Sequence, residues 1–302
     1  MRGANEGQLV SKIRQIEVGS TSDVGNVRQS NQDRVVAEIV PCGEAAVPAA
    51  LLLVADGLGG HQGGEMASTL AQNTFREVVS QPVASGKLPS MSITRILTGA
   101  LKLANKRIFE AGGDPNAHGR PGTTMTACVL SGHQYSLAHV GDSRAYLITP
   151  HNTMQLTDDD SIVADAIRQG LLTDEQARVH PLRNQLTRSI GTAQQVDPSI
   201  YHGPIDAGDI VAICSDGLSE YVSAEEMRQA ALSKPTLQQF CDDLVRLAKQ
   251  RGGVDNISLV AGRAGSWNDR KDEVGRAREK LEKAHRQKTL PLLHRLSHRP
   301  PG

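Results

Sequence analysis

Three short apolar runs separated by turns, within residues 126–148, constrain the fold of this chain more than any other feature. The stretch reads T-A-C-V-L-S-G-H-Q-Y-S-L-A-H-V-G-D-S-R-A-Y-L-I, and connections this short join neighbouring strands as antiparallel hairpins rather than as βαβ units. Similar runs predict the other strands, and the full set is residues 51–55, 124–130, 135–140, 144–149, 210–214 and 256–261.

Three longer segments carry apolar residues at a helical period instead, namely residues 65–79, 93–109 and 237–249. These helices are grouped between blocks of strands and do not alternate with them, which predicts the α+β fold class. Aromatic residues make up only 3% of the chain, so Leu, Val, Ile and Ala must fill its core.

Charge, hydropathy and cysteine spacing indicate which binding partners and which cellular compartment to expect. Lys+Arg and Asp+Glu number 33 each, so whole-chain charge gives no reason to expect nucleic acid or a membrane surface as a partner. No apolar run approaches the ~20 residues that span a bilayer, and the N-terminus lacks the apolar stretch of a signal peptide. The four cysteines form no C-x-x-C pair, which argues against a zinc cluster or a disulfide framework. We expect a soluble, cytoplasmic protein.

The C-terminal segment differs in character from the rest of the chain. From residue 269 it is dense in charge and has almost no apolar stripe, and it ends in R-L-S-H-R-P-P-G. Such a segment cannot bury enough apolar surface to hold itself folded. We therefore expect residues 265–302 to be a solvated, frayed helix or disordered.

A glycine loop follows one predicted strand directly. The run at residues 51–55 passes into Asp56 and then G-L-G-G-H-Q-G-G. Such loops often cradle phosphates, but the glycine spacing here fits neither G-x-G-x-x-G nor a P-loop, which disfavours a nucleotide-binding enzyme. Taken alone, the stretch is equally consistent with a polar turn, where Asp and Gly are common.

Other aspartates occupy the same kind of position at strand ends. Asp216 in V-A-I-C-S-D-G-L and Asp142 in L-A-H-V-G-D-S follow apolar runs, and Asp255 precedes the run N-I-S-L-V. Near the N-terminus, S-D-V-G-N-V-R-Q-S-N-Q-D-R supplies Asp23 and Asp33, with Arg28 between them. One such aspartate is ordinarily a solvated turn residue, but several that converge cannot all ionise without cations.

The chemistry of these ligands predicts the kind of cation. An all-oxygen set selects Mg²⁺ or Mn²⁺ over zinc. Two such ions can hold and activate a bridging water, which is a recurring arrangement for hydrolysing phosphoesters. A glycine beside Asp56 would let a backbone carbonyl approach an ion as a further ligand.

Seven motifs in order resemble those of the metal-dependent serine/threonine protein phosphatases, the protein phosphatase 2C type, in its bacterial branch. They are S-D-V-G-N-V-R-Q-S-N-Q-D-R, V-A-D-G-L-G-G-H, P-G-T-T-M-T-A, H-V-G-D-S-R-A-Y, H-P-L-R-N-Q-L-T-R-S-I-G, C-S-D-G-L and G-G-V-D-N-I-S-L-V. The resemblance implies a central β-sandwich of two antiparallel sheets flanked by helix pairs, in α-β-β-α layers. It also implies an N-terminal extension over residues 1–15, a catalytic domain over 16–264 and a flap over about 151–195.

The resemblance also implies a role for each site residue. Asp56 bridges two ions, the Gly57 carbonyl binds one of them, and Asp216 and Asp255 hold the other. Asp33 acts through metal-bound water. The remaining residues are Asp142 for a third, weaker ion, Arg28 for the phosphate, His61 as general acid and Thr124 in support.

Some residues depart from the family pattern or admit two interpretations. Gln32 stands where many relatives have a carboxylate, so one ion is expected to bind more weakly, and Asp160 stands where histidine is common. Arg183 and Arg188 in the flap either recruit a phosphopeptide or are simply solvated. We expect His139 to be structural, since an isolated histidine seldom indicates a ligand.

These observations predict a phosphatase that hydrolyses phosphoserine and phosphothreonine through a bridging metal-activated water, without a phosphoenzyme. It would need two Mn²⁺ or Mg²⁺ ions, with a third more weakly held. Its expected partners are phosphorylated proteins and a cognate bacterial Ser/Thr kinase that it opposes, and it is expected to be a monomer. The alternative from a different class is a catalytically silent signalling or scaffold module, which the intact set Arg28, Asp56, Asp216 and Asp255 disfavours.

Overall fold

The structure is a computed structural model that describes residues 15–42, 48–59, 61–85, 90–113 and 120–265. It contains twelve strands and seven helices within those residues. Almost all of the predicted N-terminal extension (1–15) and charged tail (265–302) lies outside the described residues. No helix within the described part of the chain is long and apolar enough to cross a membrane.

Two five-stranded antiparallel sheets form the centre of the fold. The first has the order β1-β12-β11-β8-β9 and the second has the order β10-β7-β6-β3-β2, while β4 and β5 form a small separate ribbon. Their bounds are β1 Ile16–Asp23, β2 Arg34–Val40, β3 Ala49–Ala55, β4 Gly57–Leu58, β5 Gly122–Thr123, β6 Met125–Ser131, β7 Gln134–Val140, β8 Arg144–Ile148, β9 Thr153–Gln155, β10 Ser199–Pro204, β11 Ile210–Cys214 and β12 Ile257–Ala264.

The two sheets pack face to face, and this explains why the central strands are apolar at every position. All seven residues of β3 are buried. Leu52 and Val54 point into the core between the sheets, whereas Leu51 and Leu53 point into the core under the helices. A strand covered on both faces loses the alternation of apolar and polar residues that a half-exposed strand shows.

Helices cover both outer faces of this sandwich. Their bounds are α1 His61–Ala84, α2 Ser90–Ala111, α3 Ile162–Arg168, α4 Asp174–Arg178, α5 Asp216–Ser219, α6 Ala224–Ser233 and α7 Leu237–Gln250. The pair α1 and α2 packs on the sheet that contains β3, and the pair α6 and α7 packs on the sheet that contains β11. The predicted α+β sandwich with flanking helix pairs is confirmed.

The three helices predicted from periodicity are present, but their bounds differ. The helix predicted over residues 65–79 begins at His61 and continues through Pro82 to Ala84. In the predicted flap, Thr153–Gln155 pairs with β8 and is therefore part of a sheet. The short helices α3 and α4 follow it, and each begins at a hydroxyl N-cap, Ser161 and Thr173 respectively.

Candidate metal centre

One end of the sandwich gathers the predicted aspartates. Asp56 follows β3, Asp142 lies between β7 and β8, and Asp216 follows β11 by two residues. Asp33 and Asp255 come just before β2 and β12. Because β2 and β12 run antiparallel to β3 and β11, their first residues lie beside the last residues of those partners.

A cavity of about 370 Å³ opens at this end, and we call it the catalytic cavity. Its lining includes Arg28, Gln32, Asp56, Gly57, Asp142, Asn184, Asp216, Asp255 and Asn256. Asp33 is not in the lining but is almost fully buried, and it accepts a hydrogen bond from the Ser215 hydroxyl at Oδ2, 2.9 Å away. Asp23 is not in this lining either, and it pairs with Lys249.

Burial and nearby negative charge disfavour the ionised form of four carboxyls, those of Asp33, Asp56, Asp142 and Asp216. Burial is the largest cause throughout, and it raises the pKa of Asp33 to about 6 and that of Asp142 to about 7. The pKa values of Asp56 and Asp216 are raised well above the usual range by burial and then by neighbouring aspartates. A group of carboxyls that repel one another in this way is suited to bind cations.

Two unpartnered oxygens support a fit to divalent ions. Asp33 Oδ1 and Asp216 Oδ1 are buried and accept no hydrogen bond, although buried polar atoms ordinarily have a partner. Among the described residues, no three His, Cys, Asp or Glu side chains form a group that would hold a single ion by themselves. Mg²⁺ sites do not need such a group, since this ion usually keeps several waters and binds one or two carboxylates. The residues present therefore fit hydrated divalent ions.

The backbone at Gly57 has no room for a side chain. A Cβ there would lie 2.4 Å from the Gly64 carbonyl oxygen and 2.8 Å from that of Gln32. The loop that carries Asp56 is therefore pressed against the first turn of α1 and against the Gln32 backbone. The Ser68 hydroxyl, on the same helix, donates to the Gln32 carbonyl at 2.5 Å and holds that side of the contact.

Thr124 positions the backbone of Asp56. The Asp56 N–H donates to Thr124 Oγ1 at 2.9 Å, and the Thr124 N–H donates back to the Asp56 carbonyl at 2.8 Å. The Thr124 hydroxyl also lies 2.7 Å from Ser143 Oγ, next to Asp142. Two of the clustered aspartates are thus connected through one buried threonine.

Arg28 and Asp255 lie together at the mouth of the cavity. Arg28 Nη2 is 2.6 Å from Asp255 Oδ2, and this bond further raises the pKa of an already permanently charged guanidinium. Half of the Arg28 side chain remains exposed, at 55%. The guanidinium can therefore still donate hydrogen bonds towards the cavity.

Asn256 is a site residue that sequence analysis did not single out. Its side-chain oxygen accepts from the Gln32 N–H at 2.9 Å, and its amide nitrogen donates to the carbonyls of Val24 and Ser30 at 2.9 and 3.0 Å. It therefore fixes the loop that carries Arg28. The only signal in the sequence was its place beside Asp255, which does not reveal partners more than 220 positions away.

The side chain of His139 is described by the structure, whereas that of His61 is not. His61 begins α1, but its side chain lies outside the described part of the structure. His139 is buried, with Nδ1 2.8 Å from the Thr126 hydroxyl and Nε2 3.1 Å from the Asp158 carbonyl. Burial lowers the pKa of His139, and both of its ring nitrogens are engaged, so it is placed as a structural residue.

The two flap arginines also differ. Arg188 contacts Asp160, Ser199 and the Asp197 carbonyl, and it is therefore not simply solvated. Arg183 lines a second cavity, of about 560 Å³, that adjoins the catalytic cavity.

Comparison with known proteins agrees with this arrangement. The family model described as Protein phosphatase 2C matches residues 18–257. The protein phosphatase PhpP of Streptococcus pneumoniae is 32% identical over 248 residues, covering 81% of this chain and 96% of that protein. The chain belongs to the protein phosphatase 2C family.

Solved structures of bacterial relatives have the same fold. The S. agalactiae serine/threonine phosphatase is similar with a TM-score of 0.73 and 30% identity, covering 83% of this chain and 100% of that one. The catalytic domain of the phosphatase PstP, in complex with two manganese ions, is similar with a TM-score of 0.69 and 31% identity, covering 83% and 98%.

Proposed function

We propose that this protein is a metal-dependent protein serine/threonine phosphatase that hydrolyses phosphoserine and phosphothreonine. The observation that carries the proposal is the set of five aspartates at one end of the sandwich, four of which line the catalytic cavity together with Arg28. Its relative PhpP is named a protein phosphatase, and its relative PstP is named a serine/threonine protein phosphatase.

The protein would hold two divalent ions through oxygen ligands. We assign Asp56 to both ions, the Gly57 carbonyl to one and Asp216 with Asp255 to the other, while Asp33 acts through water. When bound, the ions would supply an activated water as nucleophile and neutralise charge on the phosphoryl group. Asp142 would hold a third ion more weakly, and Mn²⁺ or Mg²⁺ would serve at all three positions.

Arg28 would orient the phosphate of the substrate. A guanidinium offers five N–H donors in a planar fork, and phosphate oxygens match pairs of these donors. Nη2 of Arg28 already donates to Asp255, which leaves the other donors for the phosphate and keeps it next to the carboxylates.

His61 would protonate the leaving oxygen of serine or threonine. An alkoxide is a poor leaving group near neutral pH, and imidazole has the pKa to donate a proton there. His61 is the first residue of α1 and follows Gly57 by four positions, which supports assigning it to the same site.

The proposed partners are phosphorylated proteins and the Ser/Thr kinase that modifies them, with the phosphatase acting as a cytoplasmic monomer. The four cysteines are unpaired and buried, which is consistent with a reducing compartment.

The test is hydrolysis of a phosphothreonine peptide with Mn²⁺, with and without EDTA. The proposal predicts release of inorganic phosphate that EDTA abolishes and that added Mn²⁺ restores. Binding of the peptide without release of phosphate under any metal condition would support the silent scaffold instead.

A further inference from the structure

Within the predicted flap, residues 160–162 pair with residues 185–187, and we call this paired region the neck. Ser161 and Leu186 form an isolated β-bridge, and the Ile162 N–H donates to the Gln185 carbonyl at 3.0 Å. One step closer to the sandwich, the Thr187 N–H donates to the Asp160 carbonyl at 2.8 Å. Segment 161–187, which contains α3 and α4, therefore leaves and re-enters the domain at one place.

Asp160 attaches this neck to the loop that carries Asp142. Its Oδ2 accepts from the Gly141 N–H at 3.0 Å, and its own N–H donates to the Gly141 carbonyl at 2.7 Å. The side chain of Asp160 is only 6% exposed, so this carboxylate makes its contacts away from solvent. Gly141 has φ +115°, and a Cβ there would lie 2.7 Å from the Thr124 side chain, so this loop has little freedom to shift.

Arg188 follows the neck directly and links it to the sheet. Its Nη2 donates to Asp160 Oδ1 at 2.5 Å and to Ser199 Oγ at 2.8 Å, and its Nη1 donates to the Asp197 carbonyl at 2.8 Å. Ser199 is the first residue of β10 and pairs with His139 of β7. One guanidinium thus connects the start of the flap, its end and the sheet.

The segment held in this way forms one wall of the cavity of about 560 Å³, which we call the flap groove. Val163, Ala177 and Arg183 line it from the flap, and Glu220, Tyr221 and Val222 line it from the region of α5 and α6. The flap groove and the catalytic cavity share Asp142, Asn184 and Asp216. A chain whose phosphorylated residue enters the catalytic cavity can therefore extend into the groove.

We infer that Asp160 and Arg188 are positioning residues that hold segment 161–187 as the wall of the flap groove, and that this groove receives polypeptide next to the phosphorylated residue. The inference rests on the proposed phosphatase function and adds that the two cavities have different roles in binding a substrate. The catalytic cavity suffices for a small phosphate ester, whereas a phosphopeptide also needs the groove.

The test compares Arg188→Gln and Asp160→Asn with the unchanged protein on two substrates at one Mn²⁺ concentration. For a phosphothreonine peptide, KM should rise about tenfold with kcat little changed, as expected for loss of one charge-assisted hydrogen bond that supports binding. For p-nitrophenyl phosphate, kcat/KM should change less than about twofold. The loss in the double variant should be smaller than the sum of the two single losses, because both substitutions break the contact between Asp160 and Arg188.

Hydrogen exchange supplies a second readout that general destabilisation would not reproduce. In Arg188→Gln, amides of segment 161–187 should exchange faster while those of β6, β7 and β11 keep their protection. Arg188→Lys keeps the charge but not the fork, so it should fall between Arg188→Gln and the unchanged protein.

Arg107→Gln is the matched control. Arg107 pairs with Glu77 between α2 and α1 and is about as exposed as Arg188, at 35% against 40%. The Arg107→Gln substitution should change neither kcat nor KM for either substrate.

Three outcomes would each overturn the inference: equal losses on both substrates, additive losses in the double variant, or unchanged exchange of segment 161–187. If the unchanged protein hydrolysed neither substrate, the proposed function would fail, while the exchange experiment would still decide whether Asp160 and Arg188 hold the flap.

Discussion

Arg28 donates from Nη2 to Asp255 Oδ2 across 2.6 Å, so the residue assigned to the phosphate touches one assigned to a metal ion. These two residues are 227 positions apart in the sequence. Their contact means that a phosphate held by the remaining Arg28 donors must lie next to the ions. It also means that a change at Arg28 alters the charge around Asp255.

Arg28→Ala should separate phosphate binding from metal binding. We expect kcat/KM for a phosphothreonine peptide to fall by about 10²-fold, because the substrate loses a charge-assisted, two-pronged contact. Affinity for Mn²⁺ should stay the same or increase, because Asp255 loses a competing cation. Steady-state kinetics and calorimetry on the same sample check this, and a parallel loss of Mn²⁺ affinity would speak against the assignment.

Gly57→Ala should damage the site without removing a ligand side chain. The added methyl group would meet the Gly64 carbonyl at 2.4 Å and force the Asp56 loop away from α1. A displacement of about 1 Å in a catalytic group typically costs about 10²-fold in rate. Gly99→Ala is the control, because nothing lies within 4 Å of a Cβ there, and in a helix it should stabilise the fold by about 0.5–1 kcal/mol. Full activity in Gly57→Ala would show that the contact is unimportant.

The metal-free protein should lose stability as pH rises from about 5 to about 7.5. Burial raises the folded-state pKa of Asp33 to about 6 and that of Asp142 to about 7, whereas an unfolded aspartate has a pKa of about 3.9. Between these values the folded state binds more protons than the unfolded state, so the free energy of unfolding falls with rising pH. The contribution is fully present below about pH 4 and is lost above the folded pKa values.

Thermal melts in EDTA across this pH range measure the effect. Mn²⁺ should raise the Tm more at pH 7.5 than at pH 5.5, and Asp142→Asn should flatten the slope above about pH 6. A Tm that rises from pH 5 to pH 7.5 in EDTA would contradict the electrostatic account of the cluster.

The sequence predicted the central strands well and the outer ones poorly, for a physical reason. Runs such as β3 and β11 are apolar throughout because both of their faces are covered. Strand β10 reads S-I-Y-H-G-P, contains Gly and Pro, and exposes Ile200 at 38%, so its pattern does not resemble a strand. Strand β1 likewise has only one buried residue.

The site was predictable where it depended on residue type and not where it depended on distant contacts. An aspartate after a buried strand is visible in the sequence, and Asp56 and Asp216 were found in this way. The hydrogen bonds of Asn256 to the Arg28 loop and of Arg188 to Asp160 depend on chain segments that meet only in the folded protein. Local periodicity carries no information about such contacts.

His61→Ala should affect substrates according to their leaving groups. Without a proton donor, kcat on a phosphothreonine peptide should fall by ~10²-fold or more, in line with typical general-acid contributions. p-Nitrophenyl phosphate should lose much less, because its phenolate leaves without protonation. Measuring both substrates at one Mn²⁺ concentration controls for weakened ion binding. Equal losses of kcat on the two substrates would show that His61 supports ion binding or folding and is not the general acid.

The proposed phosphatase activity depends on divalent ions held by the clustered aspartates. Calorimetric titration with Mn²⁺, paired with phosphothreonine peptide hydrolysis, tests it most directly on Asp56→Asn, Asp216→Asn and Asp243→Asn. Asp243 lies on α7 and pairs with Lys234, so its variant is the control. We expect the unchanged protein and the control to bind two Mn²⁺ ions, and the two site variants to bind Mn²⁺ at least about tenfold more weakly and to lose most turnover. Full turnover and unaltered Mn²⁺ affinity in either site variant would contradict the two-metal site.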